Sequence, residues 1–340
     1  MQSSPDMVGI AHPTVIISFV IPAKAGMTLF LVFRPNGLTV NMNNRQEGGA
    51  RLLKGSKQSE PGKPLISIIT ATYNAVRFLP DAIRSIRAQS YPNIEWIVID
   101  GGSTDATVDM LKANDDIIAY WLSEPDRGIY SAWNKGLAQA KGEWICFLGA
   151  DDYFWDAHAL ARMSEQLVNL PASVKVAYGQ IMLVSADGMV IHAFGEPWEN
   201  VRKRFREVMC IPHQGTMQRR SLFDQRGTFD ESFRIAGDYE FLLRELKSAD
   251  ARFIPGIIMA AMRQGGGISS DPGNSLVVLR ESRRAQRKNG LRLPGRLWLM
   301  AVVRLYLRLL LWKILGERLA RKVLDLGRRV MGLPPFWTRT

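Results

Sequence analysis

From Leu65 onward, short and nearly continuous apolar runs alternate with stretches whose apolar residues recur at helical spacing. Ile66–Thr70, Trp96–Ile99, Ile117–Leu122 and Trp144–Leu148 read as strands, and Phe78–Ala88, Thr107–Lys112 and Ser131–Ala140 between them as helices, the last closed by Gly142. Strands that are apolar on both faces belong to a sheet covered on both sides. The pattern therefore predicts an α/β fold with a mostly parallel sheet and helices on both faces. Such sheets bind ligands beyond the carboxyl ends of their strands. Here each strand is followed by polar residues: Thr72-Tyr73-Asn74, Asp100-Gly101-Gly102-Ser103-Thr104-Asp105, Glu124-Pro125-Asp126-Arg127-Gly128 and Asp151-Asp152. Four loops converge on one edge.

The flanks differ in character. Residues 1–63 hold an apolar piece followed by a Gly, Lys, Gln and Ser rich stretch ending in Pro61-Gly62-Lys63-Pro64, which reads as an extension and linker. Residues 64–270 form the expected catalytic domain and 271–340 a basic helical tail. The apolar fraction, 46% of 340 residues, supports a real core and excludes disorder throughout. Cys146 and Cys210 stand too far apart for a disulfide framework or a zinc pair, which fits a reducing compartment. The net charge is +12, and residues 280–329, with 15 basic and 3 acidic side chains, account for all of it. The remainder is neutral, so a nucleic-acid-binding globular face is not expected.

Two carboxylates at the mouth of a sheet, Asp151 and Asp152, suit a hard divalent cation shared with substrate phosphates. They equally suit the N-cap of the helical stretch that follows from Asp156. The Asp100–Asp105 loop permits close approach of backbone to a ligand, or is an ordinary strand-to-helix turn. It is neither a phosphate loop of the GxxxxGK[ST] kind nor a GxGxxG crossover, which argues against nucleotide hydrolysis and hydride transfer. Asp238 opens a helical stretch, where an acid either caps the helix or does chemistry.

Taken in order, Pro64–Asn74, Ile99–Asp105, Glu124–Tyr130 with Asn134-Lys135-Gly136, and Phe147–Asp152 resemble the family 2 glycosyltransferases of the exopolysaccharide and cell-envelope type, over about residues 64–270. The resemblance implies a Rossmann-like GT-A fold, a nucleotide-diphospho-sugar donor, a Mg²⁺ or Mn²⁺ cofactor and inversion at the anomeric carbon. It implies that Thr72, Tyr73, Asn74 and Asp100 line the nucleoside pocket and that Arg127 reaches the base or phosphates. Asp151 and Asp152 match the metal motif, Asp152 as the direct ligand, and Asp238 matches the general base, with Glu240 second. His213 and Gln214, in Pro212-His213-Gln214-Gly215, contact diphosphate or acceptor, or are structural. Gly266 belongs to a glycine-rich loop, Arg263–Ser269, that folds over the donor or is a plain turn. Two departures stand out: Gly101, where many members carry a second acid that contacts the base, and Gly149, where an acid or amide is frequent. No QxxRW motif follows Asp238, so a single addition is expected rather than polymerisation.

No apolar stretch is long enough for an obvious membrane span. Thr14–Phe33 is broken by Pro22 and Lys24, and Leu297–Leu315 by Arg304, Arg308 and Lys313. On a helical wheel, Arg296, Arg304, Arg308, Arg318, Arg321 and Lys322 share about one third of the circumference, with Trp298, Tyr306 and Trp312 as interfacial rings. A helix lying on an anionic membrane through residues 294–330 accounts for this, the alternative being a helix packed on the domain with its basic face in water. The chain reads as a metal-dependent inverting transferase at the cytoplasmic membrane face, acting on a lipid-linked or polysaccharide acceptor. A non-catalytic nucleotide-sugar-binding module is the alternative.

Overall fold

The computed structural model describes residues 45–264, 274–330, 332, 337 and 338, which belong to one compact unit. Gly266 and the Thr14–Phe33 segment lie outside the described residues. The chain runs β1 (Gln46–Gly48), α1 (Arg51–Lys54), β2 (Ile66–Thr72), α2 (Leu79–Arg87), β3 (Ile94–Asp100), α3 (Thr107–Lys112), β4 (Ile118–Ser123), α4 (Ile129–Gln139) and β5 (Trp144–Phe147). It continues with β6 (Tyr153–Phe154), α5 (Ala159–Val168), β7 (Val176–Val184), β8 (Val190–Phe194), α6 (Trp198–Phe205), β9 (Thr216–Arg219), α7 (Arg220–Arg226), α8 (Gly237–Leu246), β10 (Arg252–Arg263), α9 (Ser275–Lys288) and α10 (Arg296–Val330).

The expected elements of the first half form within a few residues of where the pattern puts them. β2 to β5 are buried on both faces, and β4, β3, β2 and β5 lie side by side in parallel. Buried polar groups pair across these strands: Ser67 Oγ donates to Glu95 Oε1 at 2.6 Å, and Trp96 Nε1 to Thr70 Oγ1 at 3.0 Å. Beyond β5 the order continues β9, β7, β10, β6, with β9 antiparallel to both neighbours and β7 parallel to β10. One sheet thus joins a parallel half to a mixed half. Core residues fill both sides of it.

Three findings change the reading of the flanks. Residues 45–54, expected within a linker, add β1 antiparallel to β4, which covers backbone groups that an edge strand would leave open. α9, counted with the tail because of its charge, packs against α8: Asn289 just beyond it donates to the Glu240 carbonyl at 3.3 Å, and its Gln286 donates to the Glu207 carbonyl at 2.6 Å. α10 is broken at Gly316, whose φ of +72° is open to glycine, so a single wheel does not run from Arg296 to Lys322. No helix among the described residues is long and apolar enough to cross a membrane.

Candidate active site

A cavity of about 330 Å³ opens at the carboxyl end of β5, between the His213–Gly215 turn, the start of α8 and α9. Asp151, Asp152, His213, Gln214 and Asp238 all line it, together with Tyr130, Arg234, Arg263 and Ser282. Its remaining wall is apolar, with Trp133, Ile181, Met209 and Val278 among the lining side chains.

Asp151 and Asp152 reach this cavity because the chain turns sharply after β5, the Asp152 amide donating to the Gly149 carbonyl at 3.1 Å. They do not cap the next helix. β6 intervenes and pairs with β10, and α5 begins at Ala159 with His158 at its N-cap. The same pairing brings the Arg263 amide 3.0 Å from Asp152 Oδ1. A Cβ on residue 149 would lie 2.6 Å from Asp152 Oδ2 and 2.9 Å from Asp151 Oδ1. The glycine is therefore what lets two carboxylates converge on one spot.

Burial first, and the neighbouring Asp151 charge second, push the Asp152 carboxyl up to about 8; burial also raises Asp151. An acid raised on folding holds its proton more tightly in the folded state. Its contribution to stability is present below the ordinary value of 3.8 and is lost as pH rises through about 8. In cation-free buffer the melting temperature should accordingly show a fall across that window that Asp152→Asn flattens. An unchanged pH profile in the variant would mean that Asp152 carries no such strain.

Asp238 sits in the first turn of α8, two residues past the Ala236 N-cap, so it is not the cap. Glu281, from α9, accepts the amides of Arg234 at 2.8 Å, Ile235 at 2.8 Å and Ala236 at 2.9 Å. The Tyr130 hydroxyl accepts the Gly237 amide at 2.8 Å, donates to the Ile235 carbonyl and lies 3.3 Å from Asp238 Oδ1. A Cβ on Gly237 would lie 2.7 Å from the Tyr130 ring, so this approach requires glycine. Asp238 Oδ1 accepts the adjacent Tyr239 amide at 2.8 Å. Glu240 does not share the cavity. Its buried carboxylate is held by Arg244 and lies 3.3 Å from Lys288, the work of a structural ion pair.

His213 is buried, its ring stacked on Trp133 and Phe147 at centroid separations of 5.0 and 5.2 Å. Burial lowers its pKa, and a Gln218 amide nitrogen 3.2 Å from Nε2 suits a neutral ring. Gln214 lines the same cavity, where its side chain favours the ionised form of Asp152.

The expected nucleoside residues lie outside the lining of this cavity. Asp100 is buried and accepts from Thr72 Oγ1, Ser123 Oγ and the Ser103 amide at 3.0, 2.7 and 2.8 Å, so Thr72 and Asp100 shape the loop. Asn74, at a φ of +49°, accepts the Thr104 amide at 2.8 Å and ties the loops after β2 and β3 together; Tyr73 is exposed. Arg127 is exposed and pairs with Glu231 at 2.7 Å. Where Gly101 lacks the second acid, a Cβ would meet Asp126 Oδ2 at 2.9 Å, so a carboxylate from the loop after β4 occupies that neighbourhood.

A twisted α/β sheet of this order, with acids gathered at its carboxyl edge, defines an enzyme of the GT-A type, and the comparisons agree. The Glycosyl transferase family 2 model matches residues 67–227. A Mycobacterium tuberculosis protein named "Uncharacterized glycosyltransferase Rv1514c" is 38% identical over 183 residues, 53% of this chain and 68% of its own. A "PGL/p-HBAD biosynthesis glycosyltransferase" of Mycobacterium bovis is 31% identical over 61% of this chain and 80% of its own. Among solved structures, mannosyltransferase PcManGT from Pyrobaculum calidifontis, in complex with GDP-Man and Mn²⁺, aligns at a TM-score of 0.52 and 17% identity over 80% of this chain and 79% of its own. S. aureus TarS 1-349 with UDP-GlcNAc aligns at 0.52 and 21%, over 65% and 66%. In the longer TarS structure the match covers 39% of that chain. The chain belongs to glycosyl transferase family 2, and it is a glycosyltransferase.

Proposed function

We propose that the chain moves one sugar from a nucleoside-diphosphate sugar to a hydroxyl of a lipid-linked or saccharide acceptor, inverting the anomeric carbon. The meeting of Asp238 with Asp151 and Asp152 in one cavity carries this reading. Asp238 accepts the proton of the attacking hydroxyl, which requires a carboxylate within hydrogen-bond reach of it. Asp151 and Asp152 would hold a divalent cation, and their oxygen-only, converging donor set suits Mg²⁺ or Mn²⁺. A cation held there would offset the charge that develops on the leaving diphosphate. The Arg263 amide fixes the Asp152 carboxylate. The nucleotide sugars named with TarS and PcManGT support the donor class, and the Mn²⁺ named with PcManGT the cation. The biosynthetic names of the mycobacterial relatives support a cell-envelope glycoconjugate as acceptor. A panel of UDP- and GDP-sugars with Mn²⁺ tests this: one donor should release its nucleoside diphosphate, and binding without release across the panel would contradict it.

We also propose that α10 rests on the cytoplasmic face of an anionic membrane. A helix packed on the domain would bury its apolar residues, yet only Leu305 and Ala320 of α10 are buried apolar residues, while Val303, Leu307 and Ile314 are 57%, 55% and 67% exposed. Arg308, counted with the basic face, instead bonds Ser275 Oγ at 2.6 Å and stacks on Trp312 and Trp337, anchoring the helix. Basic residues near an anionic surface contribute about 1 kcal/mol each, a term that salt screens, whereas apolar burial is not screened. Full-length protein should therefore bind vesicles containing phosphatidylglycerol, loosen in high salt without full release, and lose binding in a Val303→Glu, Ile314→Glu variant. Equal and negligible binding of the wild type to anionic and neutral vesicles would contradict this.

A further inference from the structure

Glu281 stands out as an acid in a basic helix, with no assigned part in the chemistry. α9 runs Arg280, Glu281, Ser282, Arg283, Arg284 through its middle, and Glu281 is the one acid of the helix. Its two oxygens take three consecutive amides, those of Arg234, Ile235 and Ala236, at 2.8 to 2.9 Å. These amides lead directly into α8, at the positive end of the helix dipole, where a carboxylate is favoured and an N-terminal amide without a partner is costly. The same turn presents Asp238 to the cavity. Neighbouring contacts keep α9 in register: Arg284 lies over the Phe233 ring at 4.1 Å, and Lys288 pairs with Asp230 at 2.7 Å.

We infer that Glu281 is a positioning residue for the base. By fixing three consecutive amides of the turn that leads into α8, it holds the backbone from which Asp238 lines the cavity. Tyr130 acts from the other side, locking the Ile235 carbonyl and the Gly237 amide. Without Glu281 these three amides lose their acceptor, and the start of α8 that carries Asp238 is free to shift. Catalysis is lost through geometry, since a displacement of about 1 Å at a reacting group costs on the order of 100-fold. This rests on the assignment of Asp238 as base.

The test is a double-mutant cycle in the full-length protein with the donor identified by the panel above. Glu281→Ala should lower kcat on the order of 10- to 100-fold. Nucleoside-diphosphate affinity, measured by calorimetry, should stay within about twofold, because Asp151 and Asp152 are untouched; Glu281→Gln, which keeps one acceptor oxygen and the volume, should recover part of the loss. In an Asp238→Asn background, Glu281→Ala should have little further effect, because a residue that acts only through another shows non-additive loss. Additive losses, or a Glu281→Gln enzyme with wild-type kcat, would overturn the positioning role while leaving Asp238 as base. An active Asp238→Asn enzyme would instead overturn the base assignment, and the positioning role with it. If Glu281→Ala does not fold, the Gln variant and its cycle decide alone.

Discussion

Asp238→Asn should cut turnover by about two orders of magnitude or more while leaving donor binding intact. The substitution preserves shape, and its amide oxygen still accepts the Tyr239 amide, so α8 and the Glu281 clamp should form as before. What disappears is the proton acceptor beside the acceptor hydroxyl. Glu240→Gln makes the contrast, since Glu240 is buried against Arg244 and Lys288 and away from the cavity. Removing its charge leaves two cations beside a neutral amide, and the expected result is a lower melting temperature with kcat per folded molecule largely retained. A dead Glu240→Gln enzyme beside an active Asp238→Asn enzyme would reverse the assignment.

Asp152→Ala should abolish measurable turnover, and EDTA should do the same to the wild type. No group of three or more His, Cys, Asp or Glu ligands exists among the described residues. With only Asp151 and Asp152 available, cation affinity should be weak until donor phosphates add oxygens. Cation binding must also displace the proton that burial holds on Asp152, so affinity should rise with pH up to about 8. Titration calorimetry with Mn²⁺, with and without nucleoside diphosphate, reads both effects. Full activity in EDTA would remove the cation from the account.

The first half of the sheet was legible because parallel strands buried on both faces write themselves as apolar runs, and the loops behind them as polar punctuation. Thr107–Lys112 was read to the residue. β1 was hidden because a three-residue edge strand, Gln46-Glu47-Gly48, carries no apolar run. β10 was hidden by Pro255-Gly256, where its pairing with β7 shifts register. At the site, Asp151 and Asp152 were legible as acids beyond an apolar run and Asp238 as the acid that opens a helical stretch, and the structure brings all three to one cavity. Asp100 and Thr72 were legible as loop residues, but not that their polar atoms are spent on each other. Glu281 was missed because charge counted over a segment averages away one acid among arginines. That acid, the exception in its run, was the available signal.

Single displacement with Asp238 as base is the claim on which the rest depends, and the stereochemistry of the first product tests it most directly. Proton NMR of donor turnover with water as acceptor, followed before the released sugar mutarotates, reports the anomer as it forms. The account predicts a free sugar of anomeric configuration opposite to that in the donor, formed at a rate that Asp238→Asn reduces by about two orders of magnitude. A first-formed sugar of retained configuration would contradict it.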